Sequence, residues 1–383
     1  MGDYMRKEKR KFKWPKYISM IFIMIIMYIF GTLLGQYIQA IKASGSGALS
    51  ILFEIIILMF CIYVAIIIQI AIHEGGHLIG GLLSGYKFSS FRIFNFMWIK
   101  ENGKLKLKKL SLAGTGGQCL MLPPEFKDGK IPYKLYNLGG LIMNIIASYI
   151  FLGFYLLWTN IRIVSIFLLM LSIVGIIFAI INGVPMQFGT IDNDGYNALS
   201  LGKNSSALKA FWVQMKVNGL LSKGVRLKNM PANLFLKPKD EELNNSIIAS
   251  KAVFVCNYLM DKHKFDEAEK EIHRLLGMDT AMVGMHRNLM ICDEIYCKAI
   301  SGNSKEEIDS LLNKQQKKFM QSMKKFPSVL RTEYVYALLV EQDKNKAEKI
   351  KNKFKEISST YPYESEIESE YELMEIANNK VKA

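Results

Sequence analysis

His73-Glu74-Gly75-Gly76-His77 closes a long apolar run over 49–72. On a helix, residues four apart share a face, so both imidazoles can hold one zinc ion. Glu74 lies beside them, where it can take a proton from a water activated by that zinc. HExxH alone arises often by chance. At the end of an apolar span it is much rarer, and imidazoles and a carboxylate at membrane depth are costly enough to imply a function. A catalytic zinc usually has three protein ligands and one open position, and a carboxylate is the commonest complement to such a histidine pair. Residues 182–195 offer one. Here Pro185 and the flanking glycines break a helix, leaving irregular backbone of the kind tolerated where it lines a cavity. Either Asp192 or Asp194 could reach the zinc. Read in isolation, Asp-Asn-Asp-Gly is a solvated turn; its place opposite HExxH favours a ligand. Glu54 and Gln69 lie in the same run as His73. Gln69, one turn earlier, can face the same cavity, but neither residue is expected to be catalytic.

Positioning these residues is the task of apolar segments. Four are long enough to cross a bilayer, which takes about 20 residues each: 17–41, 49–72, 135–158 and 163–181. The first is longer than a signal-peptide core and reads as an uncleaved anchor. Basic residues cluster before it (Arg6 to Lys16) and again from Lys87 to Lys134, whereas the short links carry only Lys42 and Arg162. The positive-inside rule then makes both termini cytoplasmic in a multi-pass cell-membrane protein, with His73 near the cytoplasmic end of its span. The chain has 383 residues and a net charge of +15. Much of that excess flanks apolar segments, so topology and the lipid bilayer account for it and no nucleic-acid partner is expected. The five cysteines form no CxxC pair, which fits reduced thiols facing the cytosol.

The expected fold is mainly α: a polytopic helical membrane domain of about four spans with a small β-hairpin insertion, then a soluble α-helical repeat domain. The expected boundaries are a basic N-terminus at 1–16, a membrane domain at 17–200, a linker at 201–245 and helical repeats at 246–383. Asn102-Gly103, between the aromatic run 91–99 and the alternating run 105–108, is a hairpin signal. The Gly-rich stretch 113–118 and Pro123-Pro124 read as loop. Such a strand pair could hold an extended substrate by main-chain hydrogen bonds, or simply cover the membrane surface.

The ordered set of motifs resembles the site-2 protease family of intramembrane zinc metalloproteases. Its pattern is HExxH, then Gly-x-x-x-Asn, then Asn-x-x-Pro followed by Asp-Gly. Here these are His73 to His77, Gly140 to Asn144, Asn182 to Pro185, and Asp194-Gly195. The resemblance covers roughly 50–200. It implies one Zn2+ held by His73, His77 and Asp194, with Glu74 as catalytic base and Asn144 and Asn182 near the substrate. It favours Asp194 over Asp192 because Gly follows it. The implied substrate is a membrane-spanning or signal-derived peptide, whose helix must unwind before attack because its carbonyls are bonded four residues on. The chain departs from the pattern in three ways. Residues 188–191 lengthen the gap before Asp-Gly, Leu141 stands where a proline is usual, and no PDZ-like segment is present. Around Ala268 and again around Ala347 the chain resembles the turn of a tetratricopeptide repeat, with a helical hairpin at about 281–323 between. Such stacked helices can bind a protein partner. Two rival readings are a divalent-metal transporter, which needs more spans and more ligands than are visible, and an inactive scaffold whose repeats carry the function.

Overall fold

The computed structural model describes residues 47–101, 103–110, 116–157 and 161–382, with scattered positions between 21 and 43. It is mostly helical, with 71% of residues in helix and thirteen α-helices among the described residues. Apart from those scattered positions, the first expected span, 17–41, lies outside the described residues. Two compact units interleave along the chain: 1–80, 134–188 and 192–199 form one, and 81–133, 189–191 and 200–383 form the other.

Three helices of the first unit are long and apolar enough to cross a membrane: α1 (Ala48–Leu83), α2 (Lys134–Leu157) and α3 (Arg162–Gly183). In lipid a helix is favoured because it satisfies every backbone polar group internally. α1 does not stop at the histidines; it runs through Gly75-Gly76 to Leu83. Leu58 and Ala65 pack against Met170, Leu171 and Val174. Farther along, α1 and α2 meet through glycine. A Cβ on Gly76 would stand 2.2 Å from the Gly139 carbonyl oxygen, and one on Gly139 would stand 2.2 Å from that of Gly76. Gly76 and Gly80 form the small-xxx-small spacing that lets membrane helices approach closely. α3 ends at Gly183 because the residue before Pro185 is forced extended, with Val184 at φ −70° and ψ 121°. Two short strands, β5 (Gln187–Phe188) and β6 (Ile191–Asp192), follow, and then α4 (Asp194–Ser200).

The second unit holds an antiparallel sheet of order β3-β2-β1-β4. Its strands are β1 (Lys87–Ile93), β2 (Phe96–Glu101), β3 (Lys104–Lys109) and β4 (Gly117–Leu122). Glu101 pairs with Lys104, which closes the hairpin expected at Asn102-Gly103, with Gly103 at φ 79°. Two details differ from the sequence reading. The aromatic run 91–99 is not one arm; Phe94, at φ 51°, turns it into β1 and β2. Gly117 and Gln118 are not loop, because the alternating Cys119-Leu120-Met121-Leu122 carries them into a strand paired with β1. The sheet packs on helices from far along the chain. Trp212 of α5 (Ser205–Leu221) donates to the Pro124 carbonyl at 2.9 Å, and Met97, Ile99 and Leu110 share a core with Tyr361.

Beyond residue 245 come α6 (Ser246–Asp261), α7 (Phe265–Gly277), α8 (Gly284–Ser301), α9 (Lys305–Leu311), α10 (Lys314–Ser322), α11 (Pro327–Val335), α12 (Lys344–Ser358) and α13 (Glu364–Lys382). Two hairpins share one design. Left-handed His263 (φ 56°) turns α6 into α7, and left-handed Gln342 (φ 58°) leads into α12. Ala268 and Ala347 then occupy the same place, the fourth residue of the following helix, and both are buried in the main core.

Candidate metal centre

His73 and His77 lie one turn apart on α1, 7% and 8% exposed. Their Nε2 atoms are 3.1 Å apart. Asp194, the first residue of α4, brings Oδ2 to 3.1 Å from the first and 3.3 Å from the second. Among the described residues this is the one group of at least three His, Cys, Asp or Glu side chains arranged to hold a metal ion.

Three lone-pair donors this close repel one another unless a positive charge lies among them, and the rest of the site keeps their own protons elsewhere. His77 Nδ1 donates to the Tyr136 carbonyl of α2 at 2.8 Å, and His73 Nδ1 faces Asn144 Oδ1 at 2.6 Å. A neutral imidazole has one N–H, so both Nε2 atoms turn lone pairs toward Asp194. On a tetrahedral zinc, ligands at about 2.0–2.1 Å stand about 3.3 Å apart. The observed edges fit that figure.

The loop that delivers Asp194 is tied by its neighbour. Asn193 donates to the carbonyls of Ile181 (2.8 Å) and Val184 (2.6 Å). Its Oδ1 accepts from Met186 N and Tyr196 N, both at 2.9 Å. One amide thus caps α4 and pins the loop that follows α3. Asp192 is engaged elsewhere: its Oδ1 accepts from Gln187 Nε2 at 2.7 Å. The two candidate aspartates are therefore separated, and Asp194 joins the histidines.

Glu74 follows His73 on α1 and is 8% exposed. Asn144 is fully buried. It meets His73 through Oδ1, and its Nδ2 donates to Gln69 Oε1 (2.7 Å) and to the Gln69 carbonyl (3.1 Å). Asn182 stands apart from the cluster's hydrogen bonds, donating to the Phe178 carbonyl one turn back at 3.0 Å. Phe178 and Tyr136 lie edge-on and tilted against the His73 and His77 rings, 6.5 and 5.7 Å between centroids. A Cβ at Gly140 would fall 2.5 Å from the His73 ring, so the imidazole sits on bare backbone. Asn193 is not among the residues expected from the sequence, although an Asn just before a short helix is a capping signal. Tyr136 could not have been found, since its contribution is a main-chain carbonyl. No family model matches the chain, and neither a curated protein nor a solved structure matches it.

Proposed function

We propose that this chain is a membrane-embedded zinc endopeptidase that cuts a membrane-spanning or signal-derived peptide near the cytoplasmic face. The observation that carries the reading is the convergence of His73 Nε2, His77 Nε2 and Asp194 Oδ2 within 3.3 Å, with both Nδ1 atoms committed elsewhere. These three residues would hold the ion. When bound, zinc supplies Lewis acidity to the scissile carbonyl and to a water. Glu74 accepts the proton of that water on its carboxylate and later hands it to the leaving amine. The apolar helices that bury the histidines keep bulk water away, which strengthens each charge interaction inside. Asn182 keeps its amide oxygen as an acceptor for an unwound substrate backbone, whereas the amide of Asn144 is engaged within the protein. In this reading both termini are cytoplasmic and the protein is multi-pass in the cell membrane. The helical hairpins after residue 245 form a tetratricopeptide-like surface that recruits a protein partner.

The test is Glu74→Gln in the full chain, co-expressed in membranes with a tagged single-span peptide carrying a Gly-Pro break. The expected result is cleavage by the wild type and none by the variant, with equal zinc content in both. Undiminished cleavage by Glu74→Gln would remove the general-base assignment. A folded wild type that holds no zinc would remove the metalloprotease reading itself.

A further inference from the structure

Four polar groups in the membrane unit line up in a chain whose direction is fixed at one end. Gln69 Nε2 donates to the Leu171 main-chain carbonyl of α3 at 2.8 Å. A carbonyl only accepts, so the amide NH2 of Gln69 must face it and Oε1 must face α2. Oε1 in turn only accepts, so Asn144 presents Nδ2 to it at 2.7 Å. The Gln69 carbonyl, 3.1 Å from the same nitrogen, enforces the same orientation. Asn144 Oδ1 is therefore the atom 2.6 Å from His73 Nδ1, and the proton between them belongs to the imidazole. Gln69 and Asn144 are both 0% exposed, so no water competes for these bonds.

We infer that Gln69 and Asn144 are positioning residues for the metal centre. They form a one-way amide relay that holds His73 in its Nδ1–H tautomer and keeps the Nε2 lone pair on the ion. The inference rests on the metal-centre reading above and assigns that centre an outer partner. The two histidines are oriented by different devices. His77 uses a main-chain carbonyl directly. His73 lies farther into the span, and its orientation is relayed from α3 through a side chain of α1 and one of α2. Outer partners that fix a histidine ligand's tautomer are typically worth about 10–100-fold in metal affinity. The competing role for buried amides is simple helix–helix adhesion.

Two substitutions at one position separate these roles. Asn144→Asp keeps an oxygen facing His73 in either protonation state but, when ionised, cannot donate to Gln69. Asn144→Leu offers His73 nothing. An adhesive role makes the buried acid at least as damaging as leucine; a relay role makes it the better replacement. The measurement is zinc affinity of the detergent-solubilised full chain, by competition with a fluorescent chelator. Thermal unfolding is followed alongside, and the His73 tautomer is read from 15N shifts. The expected affinity of Asn144→Asp is within about threefold of wild type, that of Asn144→Leu about 10–100-fold weaker, and that of Gln69→Leu between the two. His73 should carry its proton on Nδ1 in the wild type and in Asn144→Asp. Equal losses in the Asp and Leu variants would overturn the relay, as would wild-type affinity in Asn144→Leu. A wild-type His73 protonated on Nε2 overturns it without any variant. A wild type that binds no zinc overturns the metal centre instead, so the two failures are distinct.

Discussion

Asp194 and Asp192 differ by two positions and by everything that matters to a cation. Asp194 Oδ2 closes a triangle with two imidazole nitrogens, while Asp192 is held by Gln187. Asp194→Asn should therefore weaken zinc binding by more than the ~10–100-fold expected for an outer partner. Asp192→Asn should leave it near wild type. Zinc retained equally by both variants, measured by elemental analysis after dialysis, would refute the assignment of the third ligand. The four-residue spacing of His73 and His77 placed both on one face of α1, where the structure has them. It could not separate the aspartates by spacing, because the deciding contacts, Gln187 to Asp192 and Asn193 to the main chain, depend on how the loop after Gly183 folds back. The amide relay was half visible: Gln69 lies one turn before His73, but its link to Asn144 crosses between helices.

Among the elements, the α1–α2 contact is the most demanding. Gly76 and Gly139 approach so closely that a single methyl at either would press into the other's carbonyl at 2.2 Å. Gly139→Ala should destabilise the first unit by about 1–3 kcal/mol, the usual cost of overpacking. It should also lower zinc affinity, because His73 and His77 flank Gly76 on the same helix. Thermal unfolding in detergent together with chelator competition checks both, and a variant as stable as wild type would show that the helices can part freely. Element type was readable from the sequence where physics is local. Apolar length gave three helices long enough to cross a membrane among the described residues, and Asn102-Gly103 gave a hairpin. Strand partners were not readable, because β4 joins β1 through a register that alternation cannot specify.

At the scale of the whole molecule, the sheet and the C-terminal helices belong to one unit although the apolar helices α2 and α3 separate them in sequence. That unit is held by buried charge as well as apolar packing. Arg331 bridges Asp293 and Glu370 and stacks 4.8 Å over Tyr296. Nearby, desolvation pushes the Glu366 carboxyl up. The Tyr361 hydroxyl bond opposes this and the Glu370 carboxylate adds to it, leaving Glu366 at about 7. A carboxyl raised in the folded state from an ordinary 4.5 favours the protonated native form. Its contribution is present below about pH 4.5 and is lost as pH rises toward 7. The melting temperature of the full chain should thus fall between pH 5 and 7.5 by more in wild type than in Glu366→Gln; equal slopes would remove Glu366 as the cause. The interleaving also has a consequence for biosynthesis. At about 5–20 residues per second, the ribosome needs roughly 10–50 s after finishing β4 to reach Tyr361, the residue that completes the core around Met97 and Ile99. During that interval two apolar helices are made, and the part of the sheet around Met97 and Ile99 waits at the growing chain for the residue that completes its core.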